Sequence, residues 1–266
     1  MIATSLGYRT DLALRELEGS EVAEYDDCVV VRSPANPAYR WGNFILIREP
    51  PQPGEERSWI ARFHREFPDA DYAALGIDVT EARASSAGEF LAAGFSRHVD
   101  SVLTTTAARL PPHMNRDADY RPLATDQDWR QAVALGLACN PGGPIMQDFL
   151  NRRMIARRQL SADGHGAWFG GFLQQRLVAH LGIFKAGDGI ARFQDVETHP
   201  DSRRQGLAGT LVYSAAAYAL RNLAARTLVM VADPADSAIG LYRSLGFADR
   251  EDQASLERRA AEPSPS

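Results

Sequence analysis

The sequence has few cysteines, no long apolar run and no excess of positive charge. Its 266 residues include 2 cysteines, Cys28 and Cys139, whose isolation argues against a disulfide framework or a cysteine-based zinc site. We expect both thiols to be buried and no metal to be bound. No segment approaches the roughly 18 apolar residues of a membrane-spanning helix. Charges also interrupt the N-terminus, MIATSLGYRTDLALRELEG, where a signal peptide is apolar. We therefore expect a cytoplasmic protein with no membrane partner.

The charge balance argues against nucleic acid as a partner. Lys and Arg number 29 and Asp and Glu number 34, so the net charge is −5. Such a chain lacks the broad positive field that nonspecific binding to nucleic acid requires. The hydrophobic fraction of 45% and the charged fraction of 24% are ordinary for a folded globular protein. The length predicts two domains of roughly 100–150 residues each, with one large domain as the alternative.

A domain boundary is predicted at 110–119, LPPHMNRDAD. Two prolines and a polar run there follow the strand-like sequence SVLTTT. The boundary separates a domain at 1–112 from a domain at 118–258. The remaining residues, 259–266, end in the small and polar sequence AAEPSPS, which predicts a disordered tail.

Apolar periodicity predicts the helices and strands of both halves. In the second half the predicted helices are 126–138, 145–159, 206–222 and 237–245, and the predicted strands are 167–174, 177–185, 190–198 and 228–232. In the first half the predicted strands are 43–48 and 72–78, and the predicted helices are 55–67 and 85–92. A hairpin turn is expected at Gln175-Arg176. Gly246 is expected to end the last helix in a left-handed conformation.

The two halves have a similar order of elements. In each half a strand, a helix, a strand and a helix follow one another and close on Gly-Phe, at Gly94-Phe95 and Gly246-Phe247. The number of residues from the first strand to that Phe is nearly the same in both halves. The matching lengths predict an internal structural duplication.

The segment HPDSRRQGLAGT, residues 199–210, is the best candidate for chemistry. A strand leads through Pro200 into Arg203 and Arg204, and small residues follow at the start of a helix. The first turn of a helix has unbonded N–H groups and the positive end of the helix dipole, so uncovered amides there form a cradle for a diphosphate. A plain loop whose small residues allow close packing fits the same spacing. We expect a β-branched residue at Gly206 to block the cradle and leave the fold intact.

Other phosphate-binding motifs are absent from the sequence. The segment lacks the Gly-Lys-Ser/Thr of a P-loop. No Gly-x-Gly-x-x-Gly follows a strand with an acidic residue about 20 positions further on. Nucleotide hydrolysis and hydride transfer are therefore disfavoured.

Two motifs in order resemble the GNAT superfamily of acyl-CoA-dependent N-acyltransferases. RRQGLA at 203–208 is similar to the acyl-CoA loop of that family, and VETHP at 196–200 is similar to the strand and proline before it. AIGLYRSLGF at 238–247 is similar to a second signature that carries a tyrosine and ends in Gly-Phe. The resemblance covers roughly 120–250. It implies an α/β fold with a mixed sheet, of the α+β type. The fold is expected to consist of two GNAT-like halves, each a mixed β-sheet flanked by helices.

The resemblance implies acetyl-CoA as the cosubstrate and Tyr242 as the general acid. A phenol with an ordinary pKa near 10 is protonated at neutral pH and donates to sulfur, although a tyrosine half-buried against the sheet fits the same position. An amide near Val196 is expected to polarise the thioester carbonyl. The implied cofactor-binding residues are Val196, Thr198, Arg203, Arg204, Gln205, Gly206, Leu207, Ala208, Gly209, Thr210 and Tyr242.

The general base is left open between Asp195 and Glu197. In a regular strand these two share one face, while Gln194, Val196 and Thr198 share the other. A β-bulge, which is common near active sites, changes which side chains point inward. Carboxylates in surface salt bridges are the alternative interpretation.

Two histidines and a loop are weaker candidates. His199 directly follows the strand, where a histidine more often caps the chain or faces solvent than acts as a base. His180 is expected to be a core or substrate-groove residue rather than a metal ligand. The loop 140–144, NPGGP, is expected by resemblance to lie over the acceptor site, and a flexible turn is its alternative interpretation.

The function predicted from these residues is transfer of an acetyl group from acetyl-CoA to a primary amine. The acceptor is a small amine or a peptide, whose amine attacks the thioester directly, with Tyr242 as the general acid that protonates the departing thiolate. The alternative is a noncatalytic acyl-CoA-binding sensor or an interaction module. The expected assembly is a monomer or a homodimer.

The first half lacks a comparable cradle. At the equivalent position, between the strand 43–48 and the helix 55–67, residues 49–56 have the sequence EPPQPGEE. Three prolines remove amide donors, and three carboxylates repel phosphate. We expect the first half to be a degenerate GNAT-like domain without an acyl-CoA loop, unable to bind CoA.

Overall fold

The computed structural model describes residues 3–82 and 88–259. They form two compact units: one is Val102–Arg250, and the other combines residues 3–82, 88–101 and 251–259. The boundary between the units lies earlier in the chain than the predicted linker at 110–119. Residues 251–258, which the sequence placed in the second domain, are part of the first unit because the end of the chain pairs there with an earlier strand.

The elements have the following bounds. The helices are α1 Leu6–Leu17, α2 Glu56–Glu66, α3 Gly88–Ala92, α4 Asp126–Cys139, α5 Gly143–Ala162, α6 Leu207–Asn222 and α7 Ala238–Ser244. The strands are β1 Glu21–Glu24, β2 Cys28–Arg32, β3 Phe44–Ile47, β4 Tyr72–Ile77, β5 Ser96–Thr105, β6 Asp119–Pro122, β7 Gly166–Leu173, β8 Arg176–Lys185, β9 Ile190–Thr198, β10 Thr227–Ala232 and β11 Ala248–Arg259. None of these helices is long and apolar enough to cross a membrane.

The first unit is a mixed sheet with helices packed on it. Its strands follow the order β1, β2, β3, β4, β11 and the first part of β5, with β3 and β4 parallel and β4 and β11 antiparallel. The core is apolar, as the fully buried Phe44, Phe63 and Leu75 show. Tyr8 of α1 donates from its hydroxyl to the carbonyl of Ala254 at 2.6 Å, which joins α1 to β11.

The second unit is also a mixed sheet covered by helices on both faces. Its strands follow the order β5, β10, β9, β8, β7 and β6, in which β9 and β10 are parallel and β6 to β9 are antiparallel. Helices α4 and α5 pack together against β7, β8 and β9, and α6 packs on the opposite face. Each unit is therefore a mixed β-sheet flanked by helices, as the sequence predicted.

The predicted elements match the structure most closely in the second unit. Strand β9 has the predicted bounds, and α6 begins one residue after the predicted start. The turn between β7 and β8 is Gln174-Gln175 rather than the predicted Gln175-Arg176, because Arg176 pairs with Leu173. Both turn residues have positive φ, 47° and 67°, which is the geometry that matches the twist of a two-residue hairpin. Glutamines are a weak signal for that geometry.

Two predictions fall partly outside the described residues. Residues 85–87 of the predicted helix 85–92 lie outside them, and α3 covers 88–92. Residues 260–266 of the predicted tail also lie outside them, and Arg259 is the last residue of β11. The two cysteines differ from each other: Cys28 is fully buried, and burial raises the pKa of its thiol to about 12, whereas Cys139 is only partly buried.

Candidate functional site

Strands β9 and β10 of the second unit are paired only near their starts. The paired residues are Ile190–Arg192 on β9 and Thr227–Val229 on β10. Beyond Arg192, the described part of β9 is paired with β8 alone. Beyond Arg192 the edge of β9 toward β10 is therefore not paired with a strand among the described residues, and such an edge can bind an extended chain in the manner of an added strand.

A tight loop connects β9 to α6. Pro200 starts a single 3₁₀ turn, which His199 caps by accepting from the Asp201 amide on Nδ1 at 3.3 Å. The loop then passes through positive φ twice, at Arg204 (63°) and Gly206 (75°), before α6 begins. His199 thus has the capping position expected from the sequence.

The amides of this loop are open. None of the described residues accepts a hydrogen bond from the backbone N–H groups of residues 204–209. These groups lie at the first turn of α6, where the helix dipole favours an anion. The side chains of Arg203 and Arg204 are exposed beside them. The loop therefore fits a diphosphate group such as that of CoA.

The side chains near the loop differ in what they can offer a ligand. Leu207 and Thr210 are buried, at 1% and 3% exposure. The Thr210 hydroxyl donates to the Gly206 carbonyl at 2.9 Å, so it serves the loop itself. Arg203 donates from Nε to the Thr198 carbonyl at 3.3 Å. At Leu207 only the backbone is available to a ligand.

Strand β9 contains a β-bulge at Asp195. The register with β8 shifts between His180 and Gly182, and Asp195 has a φ of 46°. Gln194, Asp195 and Glu197 consequently all make contacts on the side of α4 and α5. Of the two alternatives left open by the sequence, the bulge is the one observed, and Gln194 does not lie on the face opposite Asp195 as regular alternation would place it.

Asp195 is held by a guanidinium. Arg153 of α5 donates from Nε and Nη2 to the two carboxylate oxygens, at 2.9 and 3.0 Å. Burial acts to raise the pKa of Asp195, but the charges of Arg153 and Arg157 outweigh burial and lower it. An ionised carboxylate in a two-pronged ion pair is a poor proton acceptor. Asp195 is thus suited to fixing the bulge.

Glu197 has different partners. Its Oε1 accepts from Asn140 Nδ2 at 2.6 Å, and its Oε2 lies 2.8 Å from Nε2 of the fully buried His180. The other ring nitrogen, Nδ1, has no partner among the described residues. Because a carboxylate only accepts, this arrangement assigns the ring proton to Nε2. Asn140 belongs to the loop expected over the acceptor site, and its side chain does reach the carboxylate.

Tyr242 lies on α7, next to Leu241, which contacts the first turn of α6. The residue is 5% exposed, and burial, with a smaller effect of Asp236, raises its pKa to about 12. The hydroxyl has no hydrogen-bond partner in the described part of the chain and is not among its enclosed polar atoms. The oxygen therefore reaches the protein surface. Leu241, its neighbour, would lie 3.1 Å from a Cβ placed on Gly209, so α7 packs directly on the loop.

Sequence reasoning missed two sets of contacts around the site. Arg153 and Arg157 are four residues apart on α5, and their spacing was the available signal for one basic face. The segment 111–115 was interpreted as a linker, yet it packs on the loop: Asn115 donates from Nδ2 to the Gln205 carbonyl at 2.9 Å. Nothing in a proline-containing polar run indicates such a contact.

The equivalent loop of the first unit lies between β3 and α2. Two of its amides are bonded to carboxylates: Gln52 N donates to Glu55 Oε2 at 2.9 Å, and Gly54 N donates to Oε2 of Glu89 on α3. The bond from Gly54 lowers the pKa of Glu89. These donors are unavailable to a phosphate. Within residues 3–82 and 88–259, no cluster of three or more His, Cys, Asp or Glu side chains is placed to hold a metal ion.

Comparisons with known proteins bear on the family and the fold. Residues 138–247 match the acetyltransferase (GNAT) family model, whereas no curated protein matches the chain. A GCN5-related N-acetyltransferase from Kribbella flavida has a TM-score of 0.65 at 16% identity, with 96% of each chain covered. A functionally unknown conserved protein from Staphylococcus epidermidis has a TM-score of 0.67 at 13% identity, covering 89% of this chain and 92% of the other.

A tandem GNAT protein from the clavulanic acid biosynthesis pathway is also similar. Its TM-score is 0.58 at 14% identity, and the match covers 95% of this chain and 89% of the other. Identities this low show a shared fold. The family match shows, in addition, that residues 138–247 carry a GNAT acetyltransferase domain.

Proposed function

On the premise that residues 138–247 form a GNAT acetyltransferase domain, we propose that the chain transfers an acetyl group from acetyl-CoA to the primary amine of a small molecule or peptide. The observation that carries the proposal is the loop 204–209, whose amides are open at the first turn of α6. A diphosphate there directs the rest of CoA toward the unpaired edge of β9. Acetyl-CoA supplies an activated thioester, so the protein needs only to bind, orient and move protons.

Glu197 is the proposed general base. Its two partners, Asn140 and His180, orient the carboxylate and leave it lone pairs for the amine proton, directly or through a water. Asp195 is excluded from this role by its ion pair with Arg153. The bulge thus gives the two candidate carboxylates separate tasks, one structural and one chemical.

Tyr242 is the proposed general acid. As the bond between the amine nitrogen and the acetyl carbon forms, the carbon–sulfur bond breaks, and Tyr242 donates its proton to the departing sulfur. The raised pKa of about 12 keeps this hydroxyl protonated at neutral pH. A backbone amide near Val196, on the open edge of β9, is proposed to polarise the acetyl carbonyl. Arg203 and Arg204 are proposed to add positive charge beside the diphosphate.

Two measurements on the full chain test the proposal. Calorimetry with CoA tests the cradle, and we expect one binding event. A thiol-release assay with acetyl-CoA and a panel of primary amines tests the chemistry. Absence of CoA binding would remove the proposed function. Binding without turnover across a broad panel would instead support the noncatalytic acyl-CoA sensor.

A further inference from the structure

Residues 111–115, Pro-Pro-His-Met-Asn, form a strap over the first turn of α6. The strap and helix α6 belong to the same compact unit. Pro111 is so near Gly209 that a Cβ placed on that glycine would lie 3.2 Å from it. The carbonyl of His113 would lie 2.4 Å from a Cβ placed on Gly206. The strap therefore touches the two glycines of the loop without any side chain between.

Asn115 bonds the strap to the loop at two points. Its side-chain Nδ2 donates to the Gln205 carbonyl at 2.9 Å. Its backbone N–H donates to the Thr210 hydroxyl oxygen at 2.9 Å, and the same hydroxyl donates to the Gly206 carbonyl at 2.9 Å. The carbonyls of two successive residues, 205 and 206, are thus fixed by this network.

Fixing a carbonyl also fixes the next amide. The peptide unit is planar and trans, so the C=O of one residue and the N–H of the next point in opposite directions. With the Gln205 carbonyl held toward the strap, the N–H of Gly206 points away from it. With the Gly206 carbonyl held by Thr210, the N–H of Leu207 is turned outward from the helix start. Both N–H groups belong to the open set at 204–209.

We infer that Asn115 is a positioning residue for the diphosphate of acetyl-CoA, acting through its side-chain bond to the Gln205 carbonyl, which aims the amide of Gly206. The inference rests on the proposed function. The loop has positive φ at Arg204 and Gly206, where a free chain has many alternatives. Asn115 limits those alternatives before the ligand arrives, and a preorganised donor set binds more tightly than one that must be ordered.

The side chain of Asn115 allows a clean substitution. Its Oδ1 accepts from the amides of Asp117 and Ala118, at 3.2 and 3.0 Å, and so closes a turn within the 110–119 segment. Asn115→Asp keeps that acceptor and the shape of the side chain but loses the donor to Gln205. Asn115→Ala loses both the donor and the Oδ1 acceptor without adding charge, so a loss shared by the two variants comes from the missing donor rather than from the added carboxylate or the opened turn.

The test compares acetyl-CoA with S-acetylpantetheine, a thioester without the diphosphate. For both Asn115 variants we expect CoA affinity and kcat/KM with acetyl-CoA to fall roughly tenfold, the loss typical of one well-placed hydrogen bond. With S-acetylpantetheine, kcat/KM should equal that of the wild type. The matched control is Asn222→Ala, which removes an asparagine bond to the Tyr218 carbonyl at the other end of α6 and should change neither value.

Each other outcome overturns the inference. Equal losses with both thioesters make Asn115 a merely structural residue, and unchanged CoA affinity in both variants shows that the bond does not position the loop. Failure of the wild type to bind CoA is seen before any variant is made, and it removes the proposed function itself.

Discussion

The Nε2 atom of the fully buried His180 lies 2.8 Å from the Oε2 atom of Glu197. Asn140, which follows the end of α4, donates a hydrogen bond to the other carboxylate oxygen of Glu197, Oε1. An imidazole and an amide thus hold Glu197, whereas a guanidinium holds Asp195, two residues earlier in the same strand. The difference in partners, rather than in position along β9, separates the two carboxylates chemically.

This difference predicts opposite effects of two similar substitutions. Glu197→Gln removes the base and should lower kcat by about 10²–10⁴-fold, the usual contribution of a positioned general base, with CoA affinity unchanged. Asp195→Asn should mainly lower stability, because it leaves the guanidinium of Arg153, which is only 10% exposed, without its counter-charge. Steady-state kinetics and CoA calorimetry on both variants measure this. A larger loss of kcat in Asp195→Asn than in Glu197→Gln would reverse the assignment.

Tyr242→Phe should lower kcat on the order of 10²-fold and leave the affinity for CoA unchanged. Its ring packing is conserved in Phe, and the hydroxyl has no bond to lose within the described residues, so the melting temperature should hold. Because burial raises the pKa to about 12, ionisation of this group removes the proton only as the pH approaches that value. The wild type should therefore show no fall in rate from Tyr242 between pH 7 and about 10. Parallel losses in kcat and CoA affinity would make Tyr242 a packing residue.

Most of the second unit could be predicted from the sequence because its elements carry strong local signals. Strand β9 and helix α6 have apolar runs bounded by Pro200 and small residues, and the cradle follows from those small residues. The sequence leaves a bulge near Asp195 open, and local patterns cannot decide it, because an ion pair with Arg153, far away in the chain, stabilises a positive φ at a residue other than glycine.

Two other features depend on tertiary contacts that local patterns do not show. Strand β11 begins with the charged sequence ADRED, and only its middle residues, 253–256, are buried, against β4. The segment 111–115 has the composition of a linker, yet its backbone packs on Gly206. In both cases the partner lies more than 90 residues away in sequence, so periodicity within a window has no access to it.

Gly206→Ala should weaken CoA binding and also reduce stability. The sequence alone suggested that the fold tolerates a substitution here, but a Cβ would lie 2.4 Å from the His113 carbonyl, and φ is 75°. The strap must move, and the left-handed conformation costs a residue with a Cβ roughly 1–2 kcal/mol. Gly164→Ala is the matched control, since its φ is 74° and no atom lies within 4 Å of the new Cβ. It should lose similar backbone stability and keep wild-type CoA affinity; a loss of affinity there equal to that of Gly206→Ala would contradict the role of the strap.

Lowering the pH should destabilise helix α4, because Asp128 becomes protonated. Hydrogen bonds from Arg121, outweighing the effect of burial, hold the pKa of Asp128 well below its ordinary value, at distances of 2.9 and 3.0 Å. A depressed folded-state pKa stabilises the protein above the ordinary pKa of about 3.9, and this stabilisation is lost as the pH falls further. Asp128→Asn should lower the opening free energy of α4 at pH 7 by roughly 1–3 kcal/mol, and the difference from wild type should shrink below about pH 4. Amide hydrogen exchange of the α4 segment in the full chain measures this opening free energy.

The control for this change is Asp126→Asn in the same turn of α4. Asp126 pairs with Arg158 at the surface, with 71% and 50% of the two side chains exposed. Such exposed pairs contribute little to stability, so its exchange rates should match those of the wild type at every pH. A difference between Asp128→Asn and wild type that stays constant down to pH 2 would show that the carboxylate charge is not responsible.

The chain should bind one CoA, in the second unit. In the loop between β3 and α2 of the first unit, Pro50, Pro51 and Pro53 have no N–H to offer, and the amides of Gln52 and Gly54 are bonded to carboxylates. A diphosphate would have to displace those carboxylates and then lie beside their negative charge, which Coulomb repulsion disfavours. Calorimetry should therefore give one site per chain, and Gly206→Ala should weaken all of the measured binding. A second site that survives in Gly206→Ala would show that the first unit retains a cradle of its own.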